Sequence, residues 1–475
     1  MVVENIDVTH TLEKAKRILD EEKDLSPAVK SIFEVLILLI TLMANRLGRN
    51  SKNSSLPPSQ DPNRARKNKV AGEIQKRKQG GQENHEGCTL EKSKTPDTIE
   101  EIVIDLRTIP AGRTYTVAGY ESRQVVDVNI NVHITEYRAE ILEDETGKRY
   151  VARFPDGVNK AIQYGSGVKA ESVYLSMFQL VPLARVQEHF ADQMGLPISK
   201  GSVSNFNQET SERLDAFGTW AKQKLLASPL IHADETGINV GGKRKWLHNL
   251  SNEKVTLYHP DEKRGTEAMN RMGVLPLYTG RLCHDHMKSY YKYPNITHVL
   301  CNAHHIRELK RVIEEDGHQW AKTLLQFLVD LNQAVDAADG VLSDEKVCVA
   351  TKQYREILEQ GEAECQKPAP KESGKRGRVK KTFSRNLLER LRDFESDTLL
   401  FMKEAVVPFT NNQGERDLRM TKVQQKISGC FRSMEGAQVF SRVRSFLSTC
   451  KKNGVSPTEA LRDLFQGKFP DFMTL

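Results

Sequence analysis

Leu230-Ile231-His232-Ala233-Asp234-Glu235-Thr236-Gly237-Ile238-Asn239-Val240 is an apolar, β-branched run with two carboxylates in its middle. Strand side chains alternate between faces, so His232, Asp234 and Thr236 share one side and Glu235 takes the other. A carboxylate among apolar neighbours is costly to bury unless a cation or hydrogen bonds compensate. Asp234 is therefore the candidate metal ligand and Glu235 the bystander. The alternative is a solvated acid at a strand end.

Outward from this run, Lys245–Leu250 and Val255–His259 continue as a meander, and Gly265–Gly273 reads as a helix. Tyr278–His284 and His298–Asn302 read as further buried strands, the second leading into a helix from His304. Strands followed by strand–helix alternation predict a mixed α/β sheet. Two more acids stand at element boundaries. Leu282-Cys283-His284-Asp285-His286 puts Asp285 at the end of an apolar strand. Asn411-Asn412-Gln413-Gly414-Glu415-Arg416-Asp417 is a polar turn that opens a helix, with Glu415 in its first turn and Arg416, Arg419 and Lys422 following. Two strand aspartates and a helix glutamate can hold two Mg²⁺ ions about 3.5–4 Å apart, which suits in-line phosphodiester displacement. One ion activates a water or a 3′-hydroxyl; the other stabilises the leaving oxygen. Spacing alone does not single out such a trio. Cys283-x-x-His286 and Cys301-x-x-His304 offer a competing four-ligand zinc site. Against it, Cys283 and His286 fall on opposite sides of a strand.

The rest of the chain frames this α/β core. Residues 1–48 read as a helical segment with a break near Ser26-Pro27. Leu25, Ile32 and Leu39 interleave with Val29, Leu36 and Met43 at heptad spacing, which fits a short coiled coil or an amphipathic helix packed on its own chain. Residues 49–98 form a basic linker. Residues 99–160 read as a small β-rich module, with Val126, Val128, Ile130, Val132 and Ile134 alternating with polar residues and a hairpin turn at Asp144–Gly147. Residues 161–226 are helical. Leu183–Met194, Gly195-Leu196-Pro197 and a helix opening at Ser199 resemble a helix-turn-helix. Residues 318–405 are a helical insertion, and 406–475 close the chain with helices.

Of the 475 residues, 38% are hydrophobic and 28% charged, which excludes a chain disordered throughout and a membrane bundle. The longest apolar run, Val35–Ala44, is too short to cross a bilayer core of about 30 Å. Met1–His10 has no basic segment leading an apolar one, so no secretory signal is expected. Seven scattered cysteines fit a reduced, cytoplasmic protein. The net charge of +7 hides a pattern: Arg46–Lys78 carries ten Lys/Arg against two acids, Gln366–Lys381 seven against one, and Glu415–Lys452 nine against three. Three basic islands on an otherwise acidic chain point to a polyanion partner.

The ordered set His232-Ala233-Asp234-Glu235-Thr236, Trp246, Gly280–Tyr290 with Asp285, Cys301-x-x-His304 and Asn411-Asn412-x-x-Glu415-Arg416 resembles the DDE transposases of bacterial insertion sequences, specifically the insertion sequence 66 family. Asn53-Ser54-Ser55-Leu56-Pro57-Pro58-Ser59-x-Asp61-Pro62, Gly81-Gln82-x-x-His85-x-Gly87 and Gly429–Leu447 are similar to the same family. The resemblance implies that Asp234, Asp285 and Glu415 are the catalytic and metal-binding triad of a ribonuclease H-like core, formed by 227–317 and 406–475 and split by the insertion. It implies a site-shaping role for Cys301 and His304. Many relatives carry paired C-x-x-C cysteines after the His-x-Gly element. Residues 89–282 have no cysteine, so 99–160 stands at a degenerate zinc-finger position and structural zinc is not expected.

The expected function is DNA transposition by metal-dependent cleavage and strand transfer, with two Mg²⁺ ions that Mn²⁺ can replace. The expected partners are double-stranded DNA at element ends and target, further copies of the chain on DNA, and accessory proteins of the same element. Nucleoid association and no membrane contact are expected. Arg64, Arg66, Lys67, Lys69, Lys76, Arg77, Lys78, Arg416, Arg419 and Lys422 are the candidate DNA contacts. The alternatives are a ribonuclease H-like nuclease without strand transfer and an inactive DNA-binding relative.

Overall fold

The structure, a computed structural model, describes residues 2–3, 6–22, 25–47, 53, 90–128, 130–365, 367 and 381–473. Contacts divide the chain into two units, residues 66–138 and the remainder.

At the start of the larger unit, β1 (Val2–Val3) and β2 (Ile6–Asp7) pair antiparallel ahead of α1 (Val8–Glu21) and α2 (Pro27–Leu47). Leu19 and Ile37 are buried, whereas Ile32, Leu36, Leu39 and Met43 are 46–66% exposed. The heptad seam of α2 therefore lies on the surface of this chain.

Within 66–138 the described residues contain one 3₁₀ turn, Leu106–Thr108, and no strand. The alternating stretch 126–134 predicts a half-buried strand, but its five apolar residues are 44–85% exposed. This corrects the β-rich reading there. Alternation supplies one apolar face, and it yields a strand only where a partner strand and a covering layer exist. The expected hairpin does form. β3 (Ile141–Glu143) pairs with β4 (Arg149–Val151), and in the turn Asp144 Oδ1 accepts the backbone N–H of Thr146 at 2.9 Å.

Four helices lead into the main sheet: α3 (Ser166–Val173), α4 (Leu183–Met194), α5 (Lys200–Glu212) and α6 (Asp215–Leu226). Gly195, at φ +61°, ends α4, and the Ser199 hydroxyl caps α5 by accepting the Ser202 N–H at 3.0 Å. The sheet holds β5 (Leu230–Val240), β6 (Lys243–Ser251), β7 (Thr256–Asp261), β8 (Arg281–His284) and β9 (Thr297–Leu300) in the order β7-β6-β5-β8-β9. β5, β6 and β7 are antiparallel; β8 runs parallel to β5 and β9 parallel to β8. α7 (Thr266–Met272) lies between β7 and β8 in the chain.

Alternation sorts the two faces of this sheet. Ile231, Ala233, Leu250 and Leu282 join a core with Phe217, Leu225 and Phe446. Cys283 and Val299 face the opposite core, built from α8 (Asn302–Asp316), α9 (Gln319–Asp336), α10 (Asp344–Glu364), α11 (Phe383–Asp393) and α12 (Glu395–Leu399). α13 (Asn412–Ser428), α14 (Met434–Lys452) and α15 (Pro457–Phe465) follow. α14 covers the β7 edge: the hydroxyls of Thr449 and Ser445 accept the N–H groups of Thr256 and Tyr258 at 3.1 and 2.8 Å. Among the described residues no helix is long and apolar enough to cross a membrane.

Gly361 lets α10 approach its neighbours. A Cβ there would stand 2.7 Å from Leu388 Cδ1 and 3.0 Å from the Trp320 ring. Alanine favours a helix interior over glycine by about 1 kcal/mol. Overpacking a filled core costs about 1–3 kcal/mol, so Gly361→Ala is expected to lower the midpoint of urea unfolding. An unchanged or raised midpoint would mean that these helices part without cost.

Candidate active site

The register of the parallel pair fixes the first two acids. His232 lies opposite Cys283 on β8. Carried two residues on, that register brings Asp285 level with Asp234, on the side of the sheet away from Ile231 and Leu282. The chain turns immediately after, where His286 adopts φ +72°. Asp234 Oδ1 accepts the N–H of Glu235 at 2.8 Å, and Asp285 Oδ1 that of Met287 at 3.2 Å. Glu415 enters from α13, which packs on β5 and β6. Burial, and then the charges of Glu235, Asp285 and Glu415, hold Asp234 well above the ordinary carboxylate range. Glu415 Oε1 is buried and closes no hydrogen bond. A crowded carboxyl and an unsatisfied carboxylate oxygen fit a divalent cation, which would relieve both.

Asn411 ties these parts together. It is 1% exposed. Its Nδ2 donates to the carbonyl of Ala233 at 2.8 Å, its Oδ1 meets His232 Nδ1 at 2.8 Å, and its backbone N–H donates to Cys301 Sγ at 3.1 Å. Its carbonyl accepts the N–H of Glu415 at 3.2 Å. One residue thus connects β5 beside Asp234, the start of α8 and the first turn of α13. Gly414 permits this, because a Cβ there would lie 3.0 Å from the Asn411 amide.

Glu235 lies on the opposite face, as alternation requires, and is held there by Arg264 and Tyr290. Its side chain is 1% exposed. Oε1 accepts both Arg264 Nε and Nη2, at 2.9 and 2.6 Å, and Oε2 accepts the Tyr290 hydroxyl at 2.8 Å. Burial and the charge of Asp285 raise it, and Arg264 opposes them. Arg264 in turn stacks 4.8 Å from the Trp246 ring.

Cys301 caps the start of α8 and His304 lies in its first turn. His304 Nδ1 stands 3.9 Å from Glu415 Oε1, and Arg307 Nη2 stands 3.7 Å from Glu415 Oε2. Burial works against a charged imidazole, but the Cys301 sulfur and the Asp285 charge raise His304 to about 9. The four-ligand zinc reading does not assemble among the described residues. Cys283 is packed in the helical core, and the His286 ring lies 4.5 Å from Phe394. Among the described residues, the one group of His, Cys and acidic side chains close enough to hold an ion is Cys301, His304 and Glu415.

Of the candidate DNA contacts, Arg64, Arg66, Lys67, Lys69, Lys76, Arg77 and Lys78 lie outside the described residues. Arg416 and Arg419 are exposed on α13. Lys422 is committed elsewhere, donating to the carbonyl of Gly237 at 3.0 Å. The 415–452 island is divided: Arg416, Arg419, Lys426, Arg432, Arg442 and Lys451 are exposed, whereas Arg444 is buried and donates to the Phe178 carbonyl at 2.6 Å and half-buried Lys452 pairs with Asp417 at 2.8 Å.

A model for a family of unknown function (DUF6444) matches residues 12–91. No curated protein matches the chain. The model of the Transposase IS66 family matches residues 161–439, a span that holds Asp234, Asp285, Cys301, His304 and Glu415. That match covers more than half of the sequence, and the chain belongs to the IS66 family of transposases.

Proposed function

We propose that this transposase cuts DNA at the ends of its element and joins the freed 3′-hydroxyl to target DNA, using Asp234, Asp285 and Glu415 on a ribonuclease H-like core. The observation that supports the reading is that carboxylates from β5, the end of β8 and α13 lie within electrostatic reach of one another, Asp285 and Glu415 both raising Asp234. The sheet order β7-β6-β5-β8-β9, with three antiparallel strands followed by two parallel ones, supports the core assignment.

These carboxylates would hold Mg²⁺, or Mn²⁺ in its place, which when bound supplies Lewis acidity and a lowered pKa at the attacking oxygen. The protein's own groups orient the site. Backbone N–H groups fix one oxygen each of Asp234 and Asp285. Asn411 sets the start of α13 against β5. Arg416 and Arg419 extend from the same helix toward solvent, where phosphates can reach them. The exposed heptad seam of α2 supports a homo-oligomer on DNA.

The test is incubation of the purified chain and Mg²⁺ with DNA carrying the element ends and a target plasmid. Joined product is expected. Nicked product alone would favour the nuclease reading, and no cleavage under any divalent ion would overturn both. DNA binding should weaken steeply with salt. Arg416→Gln is expected to reduce the log–log salt slope by about one, the loss of one phosphate contact. An unchanged slope would remove Arg416 from the DNA interface.

A further inference from the structure

The family resemblance implies only a shaping role for Cys301 and His304. Four observations go further. Cys301 at the α8 N-cap and His304 three residues on share one side of the helix opening, and Glu415 faces them from the first turn of α13. One sulfur, one imidazole nitrogen and one carboxylate oxygen of these residues all lie within 4.8 Å of one another. His304 Nδ1 and Glu415 Oε1 are 3.9 Å apart, each buried and closing no hydrogen bond. Cys301 Sγ accepts the Asn411 N–H at 3.1 Å, the outer contact that orients a thiolate ligand.

We infer that Cys301, His304 and Glu415 form a soft-metal site that takes Zn²⁺ with three protein ligands and one open position. Zinc bonds of about 2.3 Å to sulfur and 2.0–2.2 Å to nitrogen and oxygen bring tetrahedral ligands to roughly 3.5 Å from one another, a small closure from the distances present. Thiolate and imidazole select zinc over Mg²⁺, which prefers six oxygens. Arg307 is the competitor. Its Nη1 lies 3.4 Å from His304 Nε2, and metal on Nδ1 leaves a proton on Nε2 and ends that contact. The contact of Arg307 with Glu415 Oε2 can persist.

Binding rests on the geometry of these three residues alone. Its consequence rests on the proposed function: Zn²⁺ draws Glu415 from Asp234 and Asp285 and opposes Mg²⁺-dependent cleavage. Co²⁺ titrated into the full-length chain tests the site. A near-ultraviolet thiolate-to-cobalt band is expected, saturating at a single equivalent and abolished by added Zn²⁺. Cys301→Ser should lose the band. His304→Gln should weaken Co²⁺ binding by more than about tenfold. Cys348→Ser, which changes an exposed cysteine of α10, should leave band and affinity unchanged. Asp285→Asn should also keep the band, so a failed triad and a failed zinc site are told apart. Bound Co²⁺ without a thiolate band, or a band that survives in a folded Cys301→Ser protein, overturns the inference.

Discussion

Asp285→Asn is expected to reduce strand cleavage by about 10³-fold or more, while binding to element-end DNA stays within about twofold of the parent. The substitution keeps the shape and the acceptor for the Met287 N–H, so the turn at the end of β8 should survive. It removes one of the three carboxylates proposed to hold a divalent ion. The same loss is expected for Asp234→Asn and Glu415→Gln. Stability gives a second readout with the opposite sign. Asp234 is raised in the folded chain, so the folded state holds its proton more tightly than the unfolded state. Its contribution therefore declines as pH rises through the ordinary carboxylate range toward the raised folded value. Removing the Asp285 charge relieves part of that repulsion. In chelator at neutral pH, Asp285→Asn should unfold at the same temperature as the parent or a higher one. The stabilisation that Mg²⁺ gives the parent should be lost. Cleavage within tenfold of the parent, or an unchanged Mg²⁺-dependent shift in melting, would sink the triad.

The core of the fold was readable because its signals are local. Alternation marked β5 and put Asp234 and Glu235 on opposite faces, and short apolar runs marked β8 and β9. The same alternation misled over 126–134, where the pattern lacks a partner strand. What stayed hidden depends on long-range contact. Glu235 meets Arg264 and Tyr290, 29 and 55 residues away, and nothing in its neighbourhood announces either. The count of basic residues from Glu415 to Lys452 was correct, but charge counting cannot tell an exposed Arg419 from an Arg444 buried beneath Phe178. Asn411 stood in plain view as part of a motif, but its role required Ala233 and Cys301, 178 and 110 residues distant.

Asn411→Ala is expected to destabilise the chain by about 2–6 kcal/mol and to slow cleavage by about a hundredfold. With Nδ2 donating to Ala233, the amide oxygen must accept, so His232 carries its proton on Nδ1. Burial favours this neutral imidazole by lowering its pKa. Alanine leaves the Ala233 carbonyl and the His232 N–H unpartnered inside the protein, at about 1–3 kcal/mol for each such group. A loss of stability alone would mark Asn411 as a structural residue; the Mg²⁺ dependence of cleavage is the readout that a purely structural role would not move. Asn411 links the residue before Asp234 to the helix that carries Glu415. Its loss lets the two carboxylates drift, and a shift of about 1 Å can reduce the rate about a hundredfold. The Mg²⁺ concentration for half-maximal cleavage should therefore rise, with DNA affinity unchanged, at temperatures where the variant remains folded. Asn411→Asp sharpens the test. It retains an acceptor for His232 but cannot donate to Ala233, and it adds a charge near Asp234, so it should not rescue the Mg²⁺ dependence. A variant that loses stability but keeps the parent's Mg²⁺ dependence would confine Asn411 to holding the sheet and helix together. A shifted dependence makes Asn411 the residue that sets α13, with Glu415, against β5, with Asp234.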